Sequence, residues 1–208
     1  MRRTRLSLRV LRWMLAHRDA SLTHAELWQR LGEPGGDTWG GLPDIYRAGG
    51  ESWITGSYDP ETNQFIQGTG NPVPMFDPEF RPGDNLFSNS VVAFDIDTGK
   101  IKWYFQMQPR DNFDMDHQDN PILANTKIGG AERKVVYVLG KPGILWKLDR
   151  VTGQYVGHKE TVFQNVFDLI DPKTGTVAYR GDILEAKVGD WISACPSTEG
   201  GHNWQAMS

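Results

Sequence analysis

The chain has 208 residues, long enough to bury a sizeable core, and its 23 Gly, 12 Pro and 8 Trp lie among short hydrophobic runs, which excludes a helical bundle. Its net charge is −4, but residues 1–34 hold seven Arg against three acidic residues and so leave −8 on the remainder, an acidic bulk that argues against nucleic acid as the main partner. Cys195 is the one cysteine, so no internal disulfide forms, and no apolar run approaches the length of a membrane-spanning helix.

Two helices are predicted first. One covers about residues 5–17; its basic opening is like that of a secretory signal, but Arg9 and Arg12 interrupt the apolar core such a signal needs, and an amphipathic surface helix fits the pattern better. The second begins at Thr23 with Glu26 three residues on, a capping box leading into Leu27, Trp28 and Leu31, and Gly32 and Pro34 stop it. A boundary is expected near Pro34–Gly36, with a basic helical segment over 1–34 and a second unit over 35–208. Taken as a module for nucleic acid or anionic lipid, residues 1–34 present only a modest basic footprint.

The second unit repeats itself. Asp-x-x-Thr-(Gly/Asn) occurs at Asp59–Asn63, Asp95–Gly99, Asp149–Gly153 and Asp171–Gly175, mostly between hydrophobic residues. An Asp side chain can accept bonds from turn amides while Gly or Asn takes a left-handed conformation, so each copy reads as a hairpin turn between strands. In the fullest copy, Val91 to Trp103, the second strand ends on a Trp that can dock on a neighbouring blade. The expectation is an all-β fold, a partial β-propeller of four-stranded blades; at roughly 40–50 residues per blade, three or four would fit.

Two stretches carry candidate chemistry. In Gly68-Thr-Gly-Asn-Pro72 the glycines allow close backbone approach, and Asn71 offers an amide oxygen suited to a hard cation, although a plain turn also accounts for Asn-Pro. In Arg110–Asn120, Asp111, Asp114, Asp116 and Asp119 crowd together; if extended, Asp114 and Asp116 point the same way and could hold one multivalent cation, while a solvated acidic loop is the plainer alternative. His117 has no partner at metal-ligand spacing and reads as a supporting or surface group.

Gly68-Thr-Gly-Asn-Pro72, Arg81-Pro-Gly-Asp84, the Asp-Thr-Gly turn with its Trp and the Asp-rich loop, in that order, resemble the quinoprotein alcohol dehydrogenases of the methanol/ethanol type. The likeness is read from about Gly36 to Ser208 and implies several blades of an eight-bladed propeller, with pyrroloquinoline quinone as cofactor and calcium or a lanthanide ion beside it. By resemblance, Trp53 stacks on the quinone, Asn71 ligates the metal, and Asp114 is both ligand and the base that takes the alcohol proton. Phe113 stands where Trp is commoner. Lys141 falls where a cation lies near the quinone oxygens, and Asn203 matches an amide that bonds the cofactor. Asp116 matches the lanthanide-type relatives, since an added anionic oxygen suits a trivalent ion.

The implied reaction is oxidation of a small primary alcohol to an aldehyde by hydride transfer to the quinone, with a c-type cytochrome as electron acceptor and a periplasmic location. A homo-oligomer is left open, and no Cys-x-x-Cys-His haem motif occurs in the sequence. In the family a glutamate ligand, further cofactor contacts and a disulfide of adjacent cysteines lie upstream, and the partner of Cys195 lies downstream, so the 208 residues read as part of a longer propeller. Glu51 departs from the neutral residue usual in relatives. Rival readings are a non-catalytic propeller scaffold, for which the grouping of Asn71, Asp114, Asp116 and Lys141 has no use, and a quinoprotein sugar dehydrogenase.

Overall fold

Each Asp-led repeat forms the turn expected of it. Asp95 Oδ1 accepts the Thr98 amide and hydroxyl at 2.9 Å, and Asp149 Oδ1 accepts the Val151 and Thr152 amides at 2.9 Å. Asp171 Oδ1 does the same with Lys173 and Thr174 at 2.7 and 2.9 Å, and Asp59 takes the Glu61 amide at 3.0 Å. The closing residues Asn63, Gly99, Gly153 and Gly175 all have positive φ, from 53° to 75°. These turns set the strand register throughout the computed structural model, which describes residues 37–203, 205 and 207. The helices expected in residues 1–34 and the boundary at Pro34–Gly36 lie outside the described residues.

The strands are β1 (Ala48–Gly49), β2 (Ser57–Asp59), β3 (Gln64–Gly68), β4 (Pro72–Val73), β5 (Ser90–Asp95), β6 (Ile101–Gln106), β7 (Ile122–Ile128), β8 (Ala131–Val138), β9 (Ile144–Asp149), β10 (Tyr155–Glu160), β11 (Phe167–Ile170) and β12 (Val177–Tyr179), followed by a short helix α1 (Gly181–Leu184). They make two four-stranded antiparallel sheets, β2-β3-β5-β6 and β10-β9-β8-β7, a two-stranded hairpin β11-β12, and the small pair β1-β4. This is the expected propeller architecture, with two complete blades and the hairpin in place of three or four blades. The excursions over 69–89 and 107–121 account for the difference, because they take chain that an average per blade assigns to strands.

Alternation places the core. On β9, Ile144, Trp146 and Leu148 are buried in turn, and they meet Ile66, Val91, Ala93 and Trp103 of the first sheet and Val166, Phe167 and Ile170 from the hairpin region. Each such side chain contributes about 1.5–3 kcal/mol on burial. The other face of the first sheet, at Val92, is covered by Trp39, Leu86 and Phe87. The Trp39 indole N–H donates to Leu86 O at 2.8 Å.

The sheets interlock through aromatic rings set on turn glycines. A Cβ added to Gly153, in the turn of the second sheet, would lie 2.5 Å from the Trp103 ring of the first, so the expected docking of Trp103 on its neighbour occurs. Gly175 repeats the device: a Cβ there would lie 2.5 Å from Tyr155 and 2.9 Å from Phe105. Buried Arg150 adds an ion pair across the same junction, Nε to Asp59 Oδ2 at 2.8 Å.

Two predictions follow from these turns. Gly153→Ala combines a left-handed backbone with a clash against Trp103 and is expected to cost about 3 kcal/mol in urea unfolding, whereas Gly129→Ala, also at positive φ but with no atom within 4 Å of the added Cβ, should cost about 1–2 kcal/mol. Bonds from the Lys173 and Thr174 amides hold the Asp171 carboxyl below its ordinary range. A depressed folded pKa stabilises the fold above the unfolded value, about 3.9, and that contribution is lost as pH falls through the folded value. The urea midpoints of the wild-type chain and Asp171→Asn should therefore differ above about pH 4 and converge on acidification.

Candidate active site

The acidic stretch 110–121 leaves the end of β6 without regular strand structure, and Arg110 and Asp114 take positive φ values of 51° and 61°. Its carboxylates do not form a solvated loop, since Asp111, Asp116 and Asp119 are all buried. Asp111 is architectural. It accepts the amides of Phe113 at 2.9 Å and Met115 at 2.7 Å and the Gln108 side-chain amide at 3.0 Å, which curls the loop around it. Burial pushes its carboxyl up, against these bonds.

Asp114 and Asp116 converge, though not by way of an extended strand. Both reach Lys141 Nζ, Asp114 Oδ2 at 3.0 Å and Asp116 Oδ2 at 2.8 Å, and Nζ donates also to Asp114 O at 2.8 Å. Burial would lower the Lys141 pKa, but its bonds to Asp116 and Asp114 outweigh this and raise it. The pairing is unequal. Lys141 gains from two carboxylates, whereas Asp114 loses water, shares one ammonium and faces the charge of Asp116, so its pKa is raised, chiefly by burial.

Glycines let the loop run directly over both sheets. A Cβ at Gly68 would lie 2.9 Å from Gln118 Cα, and one at Gly140 would lie 2.6 Å from Asp116 O. The loop is bonded to each side, His117 N–H to Thr69 O at 3.2 Å and Lys141 N–H to Asp116 O at 3.0 Å. The His117 ring is pressed beneath Gly140 and buried, which lowers its pKa to about 3 and keeps it neutral, so it is neither a surface group nor a partner of the carboxylates.

Asn71 joins the cluster through its backbone, its N–H donating to Asp116 Oδ1 at 3.0 Å. Its side-chain nitrogen donates to Pro72 O at 2.9 Å, so its oxygen is the atom available as a ligand. Trp53 is 52% exposed and stands beside the same strand end, where a Cβ on Gly70 would lie 3.1 Å from its ring and 2.8 Å from Asp116 Oδ1. Asn203 is placed less directly. Its segment crosses Lys141, with Gly201 N–H donating to Lys141 O at 2.7 Å, but the Asn203 side chain donates to Glu199 O at 3.3 Å.

The donors fit a hard cation in kind, being two carboxylates that meet at Lys141 and the amide oxygen of the adjoining Asn71. Among the described residues no three His, Cys, Asp or Glu side chains group to hold a metal by themselves. A shell of roughly six to eight oxygens would need Asn71 and donors beyond these three residues.

A family model described as the PQQ glucose/ethanol/alcohol dehydrogenase β-propeller domain matches residues 24–162. The chain belongs to this family. The match opens at residue 24, within the segment ahead of Pro34–Gly36. The chain is 36% identical over 184 residues to the quinoprotein alcohol dehydrogenase PedH of Pseudomonas putida, covering 85% of this chain and 30% of that one. It is 37% identical over 148 residues to the putative dehydrogenase XoxF of Paracoccus denitrificans, covering 68% and 24%. A europium-containing methanol dehydrogenase superposes with a TM-score of 0.77 at 31% identity, over 86% of this chain and 31% of that one. The quinohemoprotein alcohol dehydrogenase of Comamonas testosteroni superposes with a TM-score of 0.70 at 37% identity, over 75% and 23%. The chain thus spans about a quarter to a third of the length of these relatives.

Three parts of the site escape a reading of the sequence. Arg81, fully buried, bonds Pro74 O and Asn85 Oδ1 at 2.8 Å and also Asp111 O, tying the 69–89 excursion to the acidic loop; its motif was visible but its target was not. Burial lowers its pKa to about 10. Asp119 has its carboxyl pushed up to about 7 by burial and by Asp116, and it faces His202 Nε2 at 3.7 Å, a pairing across more than eighty residues with no local signal. Gly200 is the third, because a Cβ there would lie 2.7 Å from Lys141 Cβ.

The two kinds of aspartate should separate in unfolding experiments. Asp111→Ala leaves three donors without that acceptor, two of them in buried bonds, and is expected to cost about 3 kcal/mol or more in urea unfolding, whereas Asp114→Ala, whose side chain bonds the Lys141 ammonium, should cost less than about 1.5 kcal/mol.

Proposed function

We propose that this chain carries the proton-accepting and cation-holding part of a quinoprotein alcohol dehydrogenase, which oxidises a small primary alcohol to the aldehyde. The observation that carries the reading is the convergence of Asp114 and Asp116 on Lys141 Nζ beside Asn71, in a chain of this family. The names of the relatives, quinoprotein and quinohemoprotein alcohol dehydrogenases, support the substrate class.

In this reading Asp114 is the general base. Its side chain is 24% exposed, against 5% for Asp116, so a substrate hydroxyl can reach it and pass its proton to a carboxylate oxygen. Lys141 holds that carboxylate in place through Oδ2 and sets a positive charge where negative charge develops on the acceptor. Trp53 offers a flat apolar wall for a planar ring, and Asn203 an amide in the segment that crosses Lys141. Asn71, Asp114 and Asp116 would hold the metal. Pyrroloquinoline quinone with its metal supplies hydride acceptance and Lewis acidity when bound.

Asp116 adds a second anionic donor, which favours a lanthanide over calcium, and the europium-containing neighbour is consistent with that preference. The electron acceptor is a c-type cytochrome and the location periplasmic, both by family likeness; no helix among the described residues is long and apolar enough to cross a membrane.

The test is titration of the purified chain with pyrroloquinoline quinone plus calcium or lanthanum, following quinone absorbance and alcohol-dependent dye reduction. Metal-dependent binding is expected, with turnover reduced about 10²–10⁴-fold in Asp114→Asn. A folded chain that binds neither quinone nor metal would refute this reading and favour the scaffold.

A further inference from the structure

We propose that Lys141 is a built-in counter-cation that sets how strongly the Asn71, Asp114 and Asp116 donors prefer a trivalent over a divalent ion. The inference rests on the metal-binding reading above and adds a determinant of metal selectivity within it.

The Lys141 ammonium makes three close contacts with the candidate ligands. Nζ donates to Asp114 O at 2.8 Å and Asp114 Oδ2 at 3.0 Å, and pairs with Asp116 Oδ2 at 2.8 Å. Asp116 divides its two oxygens, Oδ1 accepting the Asn71 N–H at 3.0 Å and Oδ2 facing the ammonium. A metal ligated by Asp116 therefore shares an oxygen with one of these donors. With both carboxylates ionised, the ammonium reduces the charge that an entering ion meets from −2 to −1.

Lys141 cannot withdraw bodily. Its N–H bonds Asp116 O at 3.0 Å, its carbonyl accepts Gly201 N–H at 2.7 Å, and Gly200 lies so close that an added Cβ would sit 2.7 Å from Lys141 Cβ. The side chain is 8% exposed, so water screens the charge little and only the outer carbons can swing. Repulsion between this buried ammonium and an entering ion scales with the ion's charge. The extra carboxylate of Asp116 attracts a trivalent ion most, and Lys141 repels that same ion most, so the preference is set by the two together.

The test uses the full 208-residue chain without quinone at one near-neutral pH, with Tb³⁺ binding read by luminescence and Ca²⁺ binding by calorimetry. Lys141→Met keeps the stem and removes the charge; Lys141→Arg keeps the charge. If Lys141→Met binds Ca²⁺ about tenfold more tightly, it should bind Tb³⁺ about thirtyfold more tightly, because the gain in free energy follows the ion charges. Lys141→Arg should hold the Tb³⁺/Ca²⁺ affinity ratio within about twofold of wild type. A Tb³⁺/Ca²⁺ ratio unchanged or lowered in Lys141→Met, while the wild-type chain binds metal, overturns the inference and leaves the metal-binding reading intact. No metal binding by any of the folded proteins overturns both. Circular dichroism checks folding, and Lys141→Gln reads the same ratio should Lys141→Met fail to fold.

Discussion

Taking carboxylates out of water is costly, and the arrangement around residues 110–120 is the means of offsetting it. Each buried carboxylate meets a different answer. Backbone amides satisfy Asp111, an ammonium and an amide satisfy Asp116, and Asp119 sits near an imidazole with its proton affinity raised. Asp114 keeps the most water of the group that touches Lys141, and chemistry with a substrate is assigned to it for that reason. Structure and candidate activity are thus divided among four identical side chains by their surroundings alone.

The surroundings depend on glycine. The loop passes over the ends of two different sheets and is bonded to both, at Thr69 and at Lys141, in a space that a methyl group at Gly68 or Gly140 would fill. Neither sheet by itself could hold Asp114 and Asp116 against Lys141, because the aspartates follow the first sheet and the lysine leaves the second. The site is a property of the junction, and the docking of Trp103 on Gly153 keeps that junction in register.

What could be read from the sequence was whatever is local. The Asp-led turns have their donors and acceptor within five residues, so Asp95, Asp149 and Asp171 announce their own geometry. Trp103 was legible as a docking ring because it follows such a turn. In the next blade the ring seated on Gly175 is Tyr155, two residues after its turn glycine where Trp103 is four, and no Trp marks it. Asn71, Asp114 and Asp116 stand out by residue chemistry and Lys141 by family likeness, and the four are brought together; Trp53 stands beside Asp116 at Gly70, whereas the Asn203 side chain turns to Glu199. The roles of Asp111, Asp119 and Gly200 were not legible, since each depends on which distant segment arrives to bury it. An average length per blade also misled the count of sheets, because long excursions that build a site look the same as strands in such an average.

The docking rings all point one way along the chain. Trp103 reaches forward to Gly153, and Phe105 and Tyr155 reach forward to Gly175, so every ring belongs to an earlier segment and its seat to a later one. In a polypeptide leaving the ribosome each of these rings is therefore made before its seat, so the later turn meets a ring already present.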